Sequence, residues 1–224
     1  MTKTQMAERL SEFHLFSDLF PTQIDLLTNK TKFLDVSRDA ILFSQNKQAH
    51  GFYLLLKGQV KLGVASLDGS EKVIRLIQSG QSFGEESIFS DHTFSMYAYT
   101  VKDSQALLIS KEAILDIIDT DVKLAGRMLS VFSTRNYQLV KDIKSICLQN
   151  STKRITDYLL QISKTFRGSD CFRLPTNKTI IASMLNITPE TFSRVMQKLQ
   201  NAGLITVNGK DIVINNISGL HDFK

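Results

Sequence analysis

Three patterns of apolar and polar positions follow one another along this chain. From Met6 to Leu19 apolar residues recur at helical spacing, a short amphipathic helix and connection ending near Pro21, and Thr22 to Leu27 reads as a further helical turn or two. From Phe33 the period changes. Phe33 to Phe43, Gly51 to Leu62, Val73 to Ile77 and Tyr97 to Ile109 alternate or are rich in β-branched and aromatic residues, with Gly58, Asp68-Gly69 and Gly80 between or within them. Several short strands at this spacing predict a β-sandwich or barrel. The period then returns to helical: Ser110 to Ile118 is a short helix, and Val122 to about Leu148 a long one, without Pro and with its only Gly near the start. A helix of that length is roughly 40 Å long, more than a small domain covers. Leu124, Met128, Val131 or Phe132, Leu139, Ile143 and Ile146 form an apolar stripe close to heptad spacing, and that stripe needs a partner. A second copy of the helix and the chain's own barrel are the two candidates.

The last third of the chain is a different kind of domain. Ser151 and Thr152 can cap a helix over Lys153 to Ser163 that turns Ile155, Tyr158, Leu159 and Ile162 inward, and Phe166 to Asp170 breaks it. Between Asn177 and Leu204 two short helices are joined by a tight turn. Ile180, Ile181, Met184 and Leu185 make the apolar stripe of the first, which stops at Asn186, a residue type that tolerates positive φ. Thr188 then supplies an N-cap and Pro189 the first helical position of the second. In that helix Phe192, Val195, Met196 and Leu199 share one face, and Glu190, Ser193, Arg194 and Gln197 the other. Leu204 to Ile214 alternates and turns at Asn208-Gly209, a strong hairpin signal. Helix, turn, helix and wing describe a DNA reader whose second helix enters the major groove. The exposed face suits base edges: arginine binds O6 and N7 of guanine, a carboxylate accepts from N4 of cytosine, and a short hydroxyl touches base or phosphate.

Charge changes the picture in one respect. The chain has 224 residues and a net charge of +5, and the excess is localised. From Asn150 onward there are 10 Lys and Arg against 5 Asp and Glu, while residues 1–149 carry 17 against 17. The basic footprint thus coincides with the helix-turn-helix, as phosphate contact requires. No apolar run reaches membrane-spanning length, and the N-terminus lacks the apolar core of a signal peptide, so a cytoplasmic protein with no membrane partner is expected. No catalytic residue stands out, and no enzyme activity is expected.

The segment Thr188 to Arg194, Thr-Pro-Glu-Thr-Phe-Ser-Arg, resembles the recognition helix of the CRP/FNR family of bacterial transcription regulators. Glu190, Ser193 and Arg194 match the pattern with which FNR-type members read TTGAT half-sites. Tyr53 to Leu62 and Ser79 to Glu85 resemble the glycine-marked hairpins of that family's cyclic-nucleotide-binding jelly roll. The resemblance implies an α+β protein in three parts: an effector-sensing β-barrel over residues 1–118, a dimerisation helix and hinge over 119–149, and a winged helix-turn-helix over 150–224. It also implies a homodimer formed through Leu124, Met128, Val131, Phe132, Leu139, Ile143 and Ile146, an inverted-repeat operator in double-stranded DNA, and RNA polymerase as a further partner. The DNA-contacting set is then Lys178, Thr188, Glu190, Thr191, Ser193, Arg194, Gln197 and Lys198.

For the effector the residues decide more than the family does. Members that bind cyclic AMP grip it with a Gly-Glu pair and an Arg-Ser pair. This chain has Gly84 and Glu85, but Phe94-Ser95 where the arginine belongs. Losing one partner of a buried charged contact costs about 2 to 5 kcal/mol, which argues against cyclic AMP and leaves Gly84-Glu85 as a structural turn. An FNR-like iron-sulfur cluster needs four cysteine ligands, and the chain has only Cys147 and Cys171, which excludes it. His14-Leu15-Phe16, Ala49 to Tyr53 and Pro189 to Arg194 resemble the regulators of dissimilatory nitrate respiration, a subgroup associated with nitric oxide sensing through haem. That resemblance implies non-covalent haem b with His14 as an iron ligand and Leu15, Phe16 or Phe94 lining its pocket; His50, His92 and His221 are further candidate ligands. A constitutive DNA-binding regulator with an empty barrel, and a sensor of another small molecule, remain the alternatives.

Overall fold

A computed structural model describes residues 1–66, 68–89, 93–165 and 170–223. The chain forms two compact units, Met1–Arg135 and Asn136–Lys224, and the division falls within one long helix. His92 lies outside the described residues, as does the break expected over Phe166 to Asp170 except for Asp170 itself. No helix among the described residues is long and apolar enough to cross a membrane.

The first unit opens with α1 (Lys3–Glu12) and α2 (Pro21–Asn29). Six antiparallel strands follow: β1 (Thr31–Val36), β2 (Ile41–Phe43), β3 (Gly51–Ala65), β4 (Glu71–Gln78), β5 (Ser82–Phe83) and β6 (Tyr97–Ser110). They run in the order β1-β6-β3-β4, with β2 on β6 and β5 on β3. The single strand expected over Phe33 to Phe43 is two strands, separated by a turn in which Asp39 takes φ 65°. Helix α3 (Lys111–Ile118) then starts on a Ser110 cap, whose side chain accepts from the Ala113 amide.

β3 reads as a nearly continuous apolar run because both of its faces are buried. On one face Phe52 and Leu54, with Leu107 and Ile109 of β6, pack beneath the helices, against Met6, Leu10, Leu27, Ile114 and Ile117. On the other face Tyr53, Leu55, Val60 and Leu62 fill the barrel interior with Phe43, Phe83 and Phe94. The two-residue period of the strand therefore sorts one sequence run into two separate cores.

The long helix α4 (Val122–Leu148) has 27 residues and carries the chain into the second unit. There α5 (Ser151–Thr165) begins two residues earlier than expected, because its cap is Asn150, whose Oδ1 accepts from the Lys153 amide at 2.8 Å. β7 (Cys171–Arg173), α6 (Lys178–Met184), α7 (Pro189–Asn201), β8 (Ile205–Asn208), β9 (Asp211–Ile214) and α8 (Ile217–Asp222) complete it. The wing differs from expectation in two ways. β7 adds a third strand, in the order β7-β9-β8, and the hairpin loop is Gly209-Lys210, since Asn208 pairs with Asp211. Positive φ is confined to Gly209, at 62°, which is the requirement of a II′ turn with glycine first. Residues Ile217–Asp222 form α8, capped by Asn216 and anchored by a buried Leu220.

Candidate functional site

The helix-turn-helix is assembled by its caps. Asn177 Oδ1 accepts from the Ile180 amide at 2.9 Å to start α6, and Thr188 Oγ1 accepts from the Thr191 amide at 3.2 Å to start α7. Between them Asn186 takes φ 55°, as its residue type allows. Phe192, Val195, Met196 and Leu199 are buried against Ile155, Leu159, Ile181 and Ile212. Each such side chain contributes about 1.5 to 3 kcal/mol of burial, so the rotation of α7 about its axis is strongly determined.

That rotation leaves Glu190, Ser193, Arg194 and Gln197 exposed together, with Lys198 beside them and Lys178 exposed at the start of α6. Thr191 is half-buried, and Thr188 donates to its hydroxyl at 3.2 Å, so both threonines also serve the cap. Gln197 donates to Asn201 Oδ1 at 3.0 Å. The Glu190 carboxyl is held below its ordinary value, first by its own backbone N–H at the helix N-terminus and then by the Thr188 hydroxyl. It is therefore an acceptor-only group at neutral pH.

The residues expected to line one effector pocket lie in three places. Leu15 and Phe16 are buried in the core beneath the helices, anchoring the turn after α1. Phe94 is in the other core, where its ring stacks on Phe43 with centroids 3.8 Å apart. Ser95 is exposed. His14 is exposed on the turn after α1 and lines an open groove of about 970 Å³ with Phe13, Phe33, Leu56, Arg9 and Lys57. Of the further histidines, His50 and His221 are exposed and neither lines this groove.

Gly84 and Glu85 do form a turn, and the turn has a chemistry that sequence reasoning missed. Gly84 takes φ 83°, and a Cβ there would stand 3.2 Å from the Phe94 ring. Glu85, with a side chain only 2% exposed, accepts from both terminal nitrogens of Arg135 on α4. Arg135 Nη2 lies 2.7 Å from Glu85 Oε1 and also donates to Ser82, at 2.8 Å to its carbonyl and 3.1 Å to its hydroxyl. Burial pushes the neighbouring Glu86 carboxyl up. The signal was available: Arg135 follows Met128 and Phe132 at helical spacing, and a charge on a helix face that is being buried calls for a buried counter-charge.

The stripe on α4 is likewise divided. Leu124 and Met128 are buried in the first unit's own core, so they are not free to meet a partner, contrary to expectation. Val131 and Phe132 are half-buried, and Phe132 meets Phe89 edge-on at 6.0 Å. Beyond them Leu139, Ile143 and Ile146 are 50%, 51% and 37% exposed, accompanied by Tyr137 and Val140.

Comparison with known proteins agrees with both units. Residues 33–121 match the cyclic nucleotide-binding domain family, and residues 153–223 match the Crp-like helix-turn-helix domain. The chain is 22% identical over 215 residues to the CRP-like cAMP-activated global transcriptional regulator of Mycobacterium tuberculosis, covering 94% of this chain and 96% of that protein. Its fold is shared with FixK2 from Bradyrhizobium japonicum, with a TM-score of 0.77 over 87% of this chain and 97% of that one at 18% identity. DNR from Pseudomonas aeruginosa is 31% identical over 100% of this chain and 99% of its own, with a TM-score of 0.53. With both domains in this order and that identity over full length, the chain belongs to the CRP/FNR family of DNA-binding transcription regulators.

Proposed function

We propose that two copies of this protein pair through α4 and read a TTGAT, four-base spacer, ATCAA inverted repeat, under the control of an effector bound by the first unit. The observation that carries the reading is the joint exposure of Glu190, Ser193 and Arg194 on the first turns of α7. Arg194 binds guanine O6 and N7, Glu190 accepts from the opposite-strand cytosine, and Ser193 touches a neighbouring thymine; Lys178, Lys198, Thr188, Thr191 and Gln197 complete the contact set. Arg194→Ala should weaken operator binding by about 1 to 3 kcal/mol and relax preference at the G·C pair, measured by fluorescence anisotropy on operator and substituted duplexes. Equal weakening on scrambled DNA would reduce Arg194 to a phosphate contact.

Pairing is supported by Leu139, Ile143 and Ile146, which continue from Phe132 through Asn136 at alternating spacings of four and three residues. A polar residue such as Asn136 within a seam fixes register. A two-fold pair sets two copies of α7 at half-sites about one turn of DNA apart. RNA polymerase is the further partner at the promoter. The effector acts by favouring one arrangement of α4 in the pair over another, which moves the two copies of α7 into or out of groove spacing.

For the effector, the groove beside His14 fits haem b better than the barrel interior does. It has the room, an exposed imidazole, apolar Phe13, Phe33 and Leu56, and Lys57 for a propionate, while Glu8, Glu12 and Asp35 also line it and Arg9 is paired with Glu12; the aromatic stack around Phe94 fills the barrel. The identity to DNR supports the same subgroup. Haem bound there would supply an iron that takes nitric oxide. A haemin titration followed at the Soret band, beside His14→Ala, should saturate at one per subunit with a spectrum that the variant changes. The ion pair of Glu85 with Arg135, which leaves that carboxylate already partnered, favours a second reading: a constitutive regulator with an empty barrel. No saturable haem binding, together with effector-independent operator binding, would select it. Both readings set cyclic AMP and an iron-sulfur cluster aside.

A further inference from the structure

Arg154 lies in the first turn of α5, beside Ile155, which is buried in the core of the second unit. Its guanidinium reaches the turn of the helix-turn-helix. Nη1 donates to the Leu185 carbonyl at 2.9 Å and to the Asn186 carbonyl at 3.2 Å. Carbonyls at a helix C-terminus lack intrahelical partners, so a cation there satisfies and fixes them. The same turn is tied back by the Asn186 amide to Ser183 at 3.1 Å and the Ile187 amide to Ala182 at 3.0 Å. Arg154 Nε is buried and has no hydrogen-bond partner among the described residues. Leaving a buried donor unmet is unfavourable, and is tolerated where the other bonds of the group hold it in place.

The other side of α5 is fixed as well. Ser145 donates to Gln149 Oε1 at 2.6 Å, Gln149 donates to Asp157 Oδ2 at 2.8 Å, and Lys153 pairs with Asp157 at 3.0 Å. The end of α4 therefore holds α5, and Arg154 is the side chain by which α5 holds the turn.

We propose that Arg154 is a positioning residue for DNA reading, which sets the angle of α7 by clamping the Leu185 and Asn186 carbonyls and itself touches no base. This rests on the reading of α7 as the helix that enters the groove. The alternatives are a phosphate contact, which a cation near the reader could also be, and a general structural role.

Arg154→Lys and Arg154→Ala, made in the full chain, separate the three by thermal unfolding, by affinity for operator and scrambled duplexes over a salt series, and by amide exchange. Lysine keeps the charge and the stem but loses the planar fork, so it stands in if the alanine variant fails to fold. The expected result is a fall of about tenfold in the ratio of operator to scrambled affinity, with scrambled affinity and salt slope unchanged. Amides from Asn186 to Thr191 should exchange faster while those of the wing do not, and lysine should restore part of both effects. Equal loss on both duplexes, with a salt slope smaller by about one, would make Arg154 a phosphate contact and overturn the proposal. Faster exchange throughout the unit, or no change in ratio and exchange, would overturn it too. If the wild-type protein does not prefer the operator, the proposed function fails first, and the exchange measurement alone decides the role of Arg154.

Discussion

Glu190 on α7 and Glu85 in the barrel are both carboxylates at the start of a helical turn, yet they work under opposite conditions. Glu190 stands in solvent with Ser193 and Arg194, each free to meet a base. Glu85 is 2% exposed and its charge is met by Arg135, 50 residues further along the chain. Groups of the first kind act one at a time through a face that the helical period defines. Groups of the second kind act as a unit, and removing one member leaves the other buried and uncompensated.

The sharpest way to test that contrast is at a surface the chain leaves exposed. Leu139→Asp with Ile143→Asp places two carboxylates per helix in the proposed seam, where an unpaired charge costs several kcal/mol of association. Sedimentation at micromolar concentration should show a monomer, and operator affinity should fall by about 10² or more as the two-site advantage is lost. Stability of the monomer should hardly change, since both side chains are already half exposed. A variant that remains dimeric would remove α4 from the pairing surface.

Next in size is the ion pair of the first unit. Arg135→Ala leaves Glu85 buried without its partner, which should cost about 3 to 5 kcal/mol in urea unfolding, toward the lower figure because Arg135 is itself 22% exposed. Arg135→Met with Glu85→Met should recover most of it, as replacing both partners of a buried pair by apolar residues of similar volume does. Arg194→Ala provides the contrast, with stability unchanged and operator affinity reduced. If Arg135→Ala proves neutral, solvent reaches Glu85 and the distinction between the two regions weakens.

The same distinction explains what was legible in the sequence. Faces of α7, the Thr188 cap and the Asn186 turn follow from local rules, and the structure places them as the pattern predicts. The first unit was harder because one apolar run in β3 serves two cores. Leu15 and Phe16 belong to the core beneath the helices and Phe94 to the barrel interior, although their residue types fit a ligand pocket equally well. Leu124 and Met128 lead into Phe132 at spacings of four along one apolar stripe of α4, and only tertiary packing assigns them to the first unit. β7 is three residues long and takes its strand conformation from its pairing with β9, so its own sequence carries little signal.

The smallest effect is also the most diagnostic of the exposed face. The Glu190 carboxyl is depressed below its ordinary 4.5, so its contribution is present above that value and is lost as pH falls through the lower folded value. Discrimination at the cytosine should therefore be flat from neutrality to about pH 5, measured as the ratio of affinities for operator and a duplex substituted at that pair. Thr188→Ala removes the second cause of the depression and the N-cap together. It should cost about 1 kcal/mol of stability and move the loss of discrimination upward toward 4.5. A wild-type ratio that titrates near neutrality would mean that the acceptor at the cytosine is not Glu190. The reader would then depend, like the ion pair of Glu85 with Arg135, on a group whose properties come from its packing and not from its place on a helix face.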